Sequence, residues 1–543
     1  MTDDLTLAEF PPVSTAEWDA AVLKDQKGAA PKNRLFYRAE DLNGLEYLDS
    51  APGEFPYTRG ARGDNAWRIR AVVRDSAAAQ AALDGGADEI CFVLGDQNID
   101  EVLDALPACA VHFEAGERAL ELLEALRGHP VRGSVDYEPL ADFERAAQLI
   151  RAVGTPDFKP VTVRAHRFSE AGATIVQELG FALAEGVEML ANIAGIARAM
   201  AFSLAIGPNY FLEIAKLRAA RTLWARIAES FGANSDAAKM TIYARTSHWT
   251  KTIYDPHVNL LRSTTEAMAA AIGGADALQV EAFDEPYRTP DESARRLARN
   301  TQLILKQEAW LDRSVDPAGG SHYLEVLTDS LAREAWKLFQ QIEAAGGFLK
   351  YSASGALERE IAKSRGDRET AVATRRTAIV GTNQYPNLAE RMLPAIERED
   401  SAPRAARVFE QIRLRTERHA ARTGHTPRFL LLEAGDLKMR KARSGFSANF
   451  FGCGGFEIQI ASELTGDPDV IVLCSSDPEY TMLAPRVMQQ LRDAGKSTPV
   501  IVAGNPADSI AQLKQAGVAD FVHVRCNAAD VLRAWQERLG VRD

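Results

Sequence analysis

From Ile69 onward the chain alternates short apolar runs with stretches of helical periodicity, and that alternation leaves few architectures open. The runs are Ile69–Val73, Glu89–Leu94, Ala110–Glu114, Gly133–Tyr137, Pro160–His166, Tyr210–Ile214, Met240–Arg245 and Leu278–Ala282. Between them lie segments such as AAAQAALDGG and ERALELLEALRG, whose apolar residues recur at i, i+3 and i+4. Strands that alternate with helices pair in parallel through βαβ crossovers. Eight runs in roughly 220 residues match the count and length of a (β/α)8 barrel, although an open sheet would alternate identically.

A helical block follows at Ser293–Gln307, Thr328–Ala345 and Ala356–Lys363. After it come a basic linker, TRRTAIVGTNQYPNLAER, and a charged segment from Glu397 to Gly424, read as solvated. Strands return at Phe429–Leu432, Glu457–Ile460, Val470–Cys474, Val500–Ala503 and Phe521–Val524. Five in about 115 residues suit a flavodoxin-like open sheet. The expected fold class is α/β: a (β/α)8 barrel followed by a flavodoxin-like doubly wound parallel sheet. The expected divisions are an arm with one amphipathic helix (1–65), the barrel (66–290), the helical block and linker (291–425) and the second sheet (426–543).

The bulk numbers agree with several cores. At 543 residues the chain is too long for one. No apolar run reaches the length of a membrane span, and the acidic start MTDDLTLAEFPPVSTAEW has no signal-peptide pattern. Cys91, Cys109, Cys453, Cys474 and Cys526 are scattered as reduced thiols would be, without disulfide or zinc spacing. A net charge of −12 argues against nucleic acid as a partner. A cytoplasmic multidomain protein is expected, with no nucleic-acid or membrane partner.

Several local signals have structural readings. Glu213 and Lys216, at i and i+3, are spaced for a helix-surface ion pair. Gly273-Gly274 ends an apolar helix before a strand. The glycines of Phe451–Phe456 follow a helical pattern and open a strand, the reverse of a dinucleotide loop, so they read as a helix-ending turn. Asp255-Pro256-His257 falls in a barrel loop. Leu473-Cys474-Ser475-Ser476 ends a strand where such sheets bind ligands. Bulky Phe92, Phe113, Tyr210 and Phe211 speak against an open channel through the barrel. The nine histidines are dispersed, and no metal-ligand spacing is found.

Longer segments carry a resemblance. PGEFPYTRG (Pro52–Gly60), NYFLEIAKLRAARTLWARI (Asn209–Ile227), STTEAMAAAIGGADALQVEAFDEP (Ser263–Pro286), SARRLARNTQLILKQEAWLDRSVDPAGGSHYLE (Ser293–Glu325) and IVGTNQYPN occur in one order. Together they resemble the methylmalonyl-CoA mutase family over nearly the whole chain. RFLLLEAGDLKMRKARSGFSANFFGCGGFEI resembles the first βαβ unit of that family's cobalamin-binding domain.

The departures are as specific as the matches. The family's D-x-H-x-x-G supplies cobalt's lower axial histidine, an aspartate that orients it, and a glycine that admits the corrin. Counted back from Gly455-Phe456-Glu457-Ile458, those positions are Lys438, Arg440 and Arg443. The position of the family's catalytic histidine, three before Glu170, is Arg167. His166 stands one residue early and would serve only if the alignment slipped. The family's insertion after the TRG segment, with its substrate-covering tyrosine, is missing: no tyrosine lies between Tyr57 and Tyr137. YARTSHWTKTIYDPH keeps Arg245 but not the run of small polar residues that lines the family's CoA channel.

The resemblance therefore implies the small (β) subunit of a heterodimeric methylmalonyl-CoA mutase, itself non-catalytic, with no catalytic, cofactor-binding or metal residue of its own. Adenosylcobalamin and the interconversion of (R)-methylmalonyl-CoA and succinyl-CoA fall to the large (α) subunit, its partner. Two alternatives stand beside this reading: a self-sufficient acyl-CoA mutase, and a CoA-binding regulatory module.

Overall fold

The computed structural model describes residues 53–542 except 128, 130, 154–156 and 399–401, together with Ser14, Glu17, Ala20, Ala21 and Lys24. Apart from those five, the expected arm and helix lie outside the described residues up to residue 52.

The first sheet is a closed barrel. Its strands are β1 (Arg68–Val73), β2 (Glu89–Val93), β3 (Ala110–Glu114), β4 (Gly133–Val135), β5 (Phe158–Lys159 and Val161–Val163), β6 (Met200–Ile206), β7 (Ile242–Thr246) and β8 (Ala277–Gln279). All pair in parallel, and β1 meets β8 with Arg68 opposite Ala277. Pro160 has no N–H and splits β5, whose first piece pairs with β4 and whose second pairs with β6. The Thr162 amide donates to the Tyr137 carbonyl at 3.1 Å, closing the ring.

Alternation along each strand sorts residues to the two faces. Ile90, Phe92, Val111, Phe113 and Val135 point outward and join one apolar core. Phe202, Leu204, Ile242 and Ala244 join a second, together with helices Ile175–Asn192, Tyr210–Ser230 and His322–Ala344. The first of these helices starts at a capping box: Thr174 Oγ1 accepts from the Gln177 amide and Gln177 Oε1 from the Thr174 amide.

The second sheet comprises β9 (Arg428–Glu433), β10 (Glu457–Ala461), β11 (Val470–Cys474), β12 (Val500–Ala503) and β13 (Asp520–Val522). Its order, β10-β9-β11-β12-β13, is the flavodoxin-like one. Phe429 anchors its core, stacked 4.6 Å from Phe456 and 4.5 Å from Phe451.

Three expectations need correction. Tyr210–Ile214 is no strand but the first turns of helix Tyr210–Ser230; β6 lies upstream at Met200–Ile206. Its apolar run follows directly on a 3-10 turn, Ile196–Ala199, so the pattern did not stand apart. The charged segment after Glu397 is not a solvated linker. It contains helix Arg407–Thr423, whose Arg404–Glu410 pair (2.8 Å) is buried and whose Glu417 accepts from the Tyr254 hydroxyl at 2.7 Å. That helix clamps the second domain to the loop after β7. Finally, Phe92 and Phe113 face outward, and Tyr210 and Phe211 belong to a helix, so none of the four fills the barrel.

Candidate functional site

Folds of this kind bind ligands where their parallel strands end: at the C-terminal mouth of a barrel and the C-terminal edge of a doubly wound sheet. Both places are occupied here by ionic networks of the chain itself.

Inside the barrel the inward positions are polar. Arg70 Nη2 lies 2.6 Å from Glu89 Oε1, and its guanidinium sits 4.1 Å over the Tyr243 ring. His112 packs edge-on against the same ring. Its Nδ1 is 2.7 Å from Ser134 Oγ and its Nε2 is 3.0 Å from Asp136 Oδ1. Toward the mouth, Arg245 Nη1 pairs with Glu114 Oε1 at 2.8 Å, and Cys91 Sγ donates to that same oxygen at 3.3 Å. Arg70, Glu89, His112 and Tyr243 are all buried. The ligand atoms of Cys91, His112 and Glu114 lie within 4.8 Å of one another, a set able to hold a metal ion.

At the mouth the neighbours Arg167 and His166 have different surroundings. Arg167 is tied between carboxylates: its Nη1 donates to Glu138, and its Nη2 donates to both oxygens of Glu185 at 2.9 Å. Arg164 adds a second cation on Glu138 at 2.7 Å. Burial, then the neighbouring Glu138 charge, pushes Glu185 up to about 8. His166 is buried and its Nδ1 has no hydrogen-bond partner. Burial, reinforced by Arg245, pushes it down to about 3, so its ring is neutral at physiological pH.

Glu213 and Lys216 do form an ion pair, at 2.6 Å, but not on a surface. Lys216 is fully buried and also pairs with Glu178 at 2.8 Å, and it donates to the carbonyl of Ala205 near the end of β6. The pair fastens a strand to two helices.

In the second domain the segment after β9 is helical from Leu437, with Asp436 accepting from the Met439 amide at 2.8 Å. Lys438, Arg440 and Arg443 all lie on this helix, Leu437–Gly452. Arg443 pairs with Asp477 at 3.0 Å, and Lys441 with Glu433 at 2.7 Å. Glu479 closes the sheet edge by accepting from the hydroxyls of Ser475 and Ser476, each at 2.6 Å, and from the Asp436 amide at 3.2 Å. These hydrogen bonds, Ser475's first, hold its carboxyl down near 2. Protonated amino and guanidinium groups have no lone pair for cobalt, so the residues at these three positions do not fit a cobalt-ligating loop.

Sequence reasoning missed the barrel's interior set, Arg70, Glu89, His112, Asp136 and Tyr243. Its signal is phase: in RIRAVV, EICFV, AVHFE and IYART a polar or ionisable residue recurs at alternate positions, facing the axis.

The architecture defines a class: a (β/α)8 barrel joined to a flavodoxin-like domain. The methylmalonyl-CoA mutase profile matches residues 126–428. The chain is 37% identical to the methylmalonyl-CoA mutase small subunit of Porphyromonas gingivalis, over 98% of each chain. It is 34% identical to the small subunit from Streptomyces virginiae, over 99% of each. The large subunit from that same organism is 29% identical, over 77% of this chain and 69% of that one. The chain belongs to the methylmalonyl-CoA mutase family, and its end-to-end likeness is to small subunits. Among the described residues, no helix is long and apolar enough to cross a membrane.

Proposed function

We propose that this chain is the non-catalytic small subunit of a cytoplasmic heterodimer, whose large subunit binds adenosylcobalamin and isomerises (R)-methylmalonyl-CoA and succinyl-CoA. The observation that carries this reading is position 440. Where the family places cobalt's axial histidine, Arg440 stands within a capped helix and its guanidinium offers no lone pair. The barrel supports it independently: Tyr243, Arg70 and His112 occupy the axis that a CoA chain would have to thread. Arg167, at the position that the resemblance matches to the family's catalytic histidine, is bound to two glutamates.

Its contribution to the reaction is then structural, as a bound partner that raises the stability of the large subunit by mass action. The test is to purify this chain alone and together with a large subunit, and to record cobalamin absorbance and mutase turnover for each. Cobalamin and turnover confined to the complex are the expected result. An isolated chain that retains cobalamin, or that isomerises methylmalonyl-CoA, would overturn the proposal.

A further inference from the structure

We propose that Cys91, His112 and Glu114, with Asp136 beside His112, form a binding site for one divalent transition-metal ion of the zinc type, at the C-terminal end of the barrel axis. The four come from two neighbouring strands and the residue after a third. Cys91 is on β2, His112 and Glu114 are on β3, and Asp136 follows β4. All four stand at inward-facing positions, at strand ends that carry the active sites of barrel enzymes.

The spacing is that of ligands around one centre. Tetrahedral zinc with nitrogen and oxygen at about 2.0–2.1 Å and sulfur at about 2.3 Å places its ligands about 3.3–3.7 Å apart. Cys91 Sγ and Glu114 Oε1 are 3.3 Å apart, and His112 Nε2 and Asp136 Oδ1 are 3.0 Å apart. The sulfur, imidazole and Glu114 carboxylate atoms lie within 4.8 Å of each other, so closing them on an ion takes movements of about 1 Å.

A second, independent feature is the Asp136 carboxylate. Asp136 is 7% exposed, and its Oδ1 pairs with His112 Nε2 at 3.0 Å. A buried carboxylate is costly to desolvate, and a cation held beside His112 would offset that cost. His112 is also held as metal-binding histidines are. Ser134 Oγ lies 2.7 Å from Nδ1, so a proton on Nδ1 leaves the Nε2 lone pair for the ion.

The charges close. A Cys91 thiolate, Glu114 and Asp136 carry three negative charges; a divalent ion and the Arg245 guanidinium, 2.8 Å from Glu114, supply three positive ones. Thiolate with imidazole and carboxylates selects a borderline-soft ion of the zinc type over magnesium or calcium. Glu114 and Arg245 each keep 23% of the side chain exposed, so an ion can approach from the mouth.

The test uses the full chain, stripped with a chelator and titrated with Co2+ and Zn2+. The expected result is about one ion per chain retained through gel filtration, with a thiolate-to-cobalt charge-transfer band and tetrahedral visible bands. Cys91→Ser removes the charge-transfer band. Asp136→Asn weakens binding by about 10-fold or more. Cys526→Ser, in the other domain, leaves the band intact. Should Cys91→Ser fail to fold, the wild-type cobalt spectrum decides alone. No retained ion, a bound cobalt without a thiolate band, or a band that survives Cys91→Ser overturns the site.

Discussion

Arg167 Nη2 donates to both carboxyl oxygens of Glu185 at 2.9 Å, fixing a guanidinium at the mouth of the barrel. Glu185 lies on helix Ile175–Asn192 and its side chain is fully buried. Burial and Glu138 push Glu185 up to about 8, so removing Arg167 leaves a buried, largely neutral carboxyl without its hydrogen-bond donor. Arg167→His, which gives the residue type that the family resemblance implies there, should therefore cost about 1–3 kcal/mol of stability and bring no turnover. Arg167→Lys should retain part of that loss. Urea midpoints of the two variants check this, and an active Arg167→His chain would show that residue 167 alone had silenced the barrel.

His166 gives the chain an acid-sensitive core. Its folded pKa, about 3, is below the ordinary 6.5, so the unfolded chain takes up its proton first as pH falls. Stability from this group is fully present above pH 6.5 and is lost progressively down to pH 3. Between pH 7 and pH 5 the loss is about 2 kcal/mol. The groups that set its charge environment are Arg245, Asp136, Glu114 and Arg164. His166→Gln should flatten the profile in that window. Denaturation midpoints at pH 7 and pH 5 for both chains measure it, and parallel profiles would reject it.

The two kinds of sheet were legible because each rests on local pattern: apolar runs, turn glycines and helical spacing. The runs at Glu89–Leu94 and Ala110–Glu114 matched β2 and β3 to within a residue. The ion networks were not legible, because each charge finds its partner far along the chain. Lys216 meets Glu178 at 38 residues' separation and Arg218 meets Glu325 at 107. Sequence shows Lys216 only its i−3 neighbour Glu213, so a surface pair was expected where a buried one formed. Arg413 misled in the same way: its charge read as solvated, yet it is buried and covers the Tyr254 ring at 4.0 Å. The site residues follow suit. A metal scan along the sequence looks for close ligand spacing, whereas Cys91, His112 and Asp136 converge only once three strands pair.

Gly133 opens β4 with φ +120°, and a Cβ there would stand 2.0 Å from the Val111 carbonyl oxygen of β3. Both the backbone angle and the contact forbid a side chain, and the obstructing atom belongs to the barrel's own ladder. Gly133→Ala should lower stability by about 3 kcal/mol or more, or abolish soluble expression. Gly63→Ala is the control, since nothing lies within 4 Å of its Cβ position, and it should change stability by less than about 0.5 kcal/mol. Equal midpoints for the two variants would mean that β3 and β4 are not paired as described.

On the proposed function, cobalt ligation is excluded here by backbone as well as side chains. Rewriting the segment as Lys438→Asp, Arg440→His and Arg443→Gly restores D-x-H-x-x-G in sequence. The histidine would still stand on a helix that Asp436 caps and that Lys441 ties to Glu433. Glu479, already bound to Ser475, Ser476 and the Asp436 amide, would still close the sheet edge. The triple variant should therefore show no histidine-ligated cobalamin spectrum. It should lose about 1 kcal/mol of helix stability from the interior glycine. Adding Asp436→Ala and Glu479→Ala loosens the cap and the edge, and should let some cobalamin bind. A histidine-ligated spectrum in the triple variant alone would assign the loss to the three side chains, with no part for the helix that carries them.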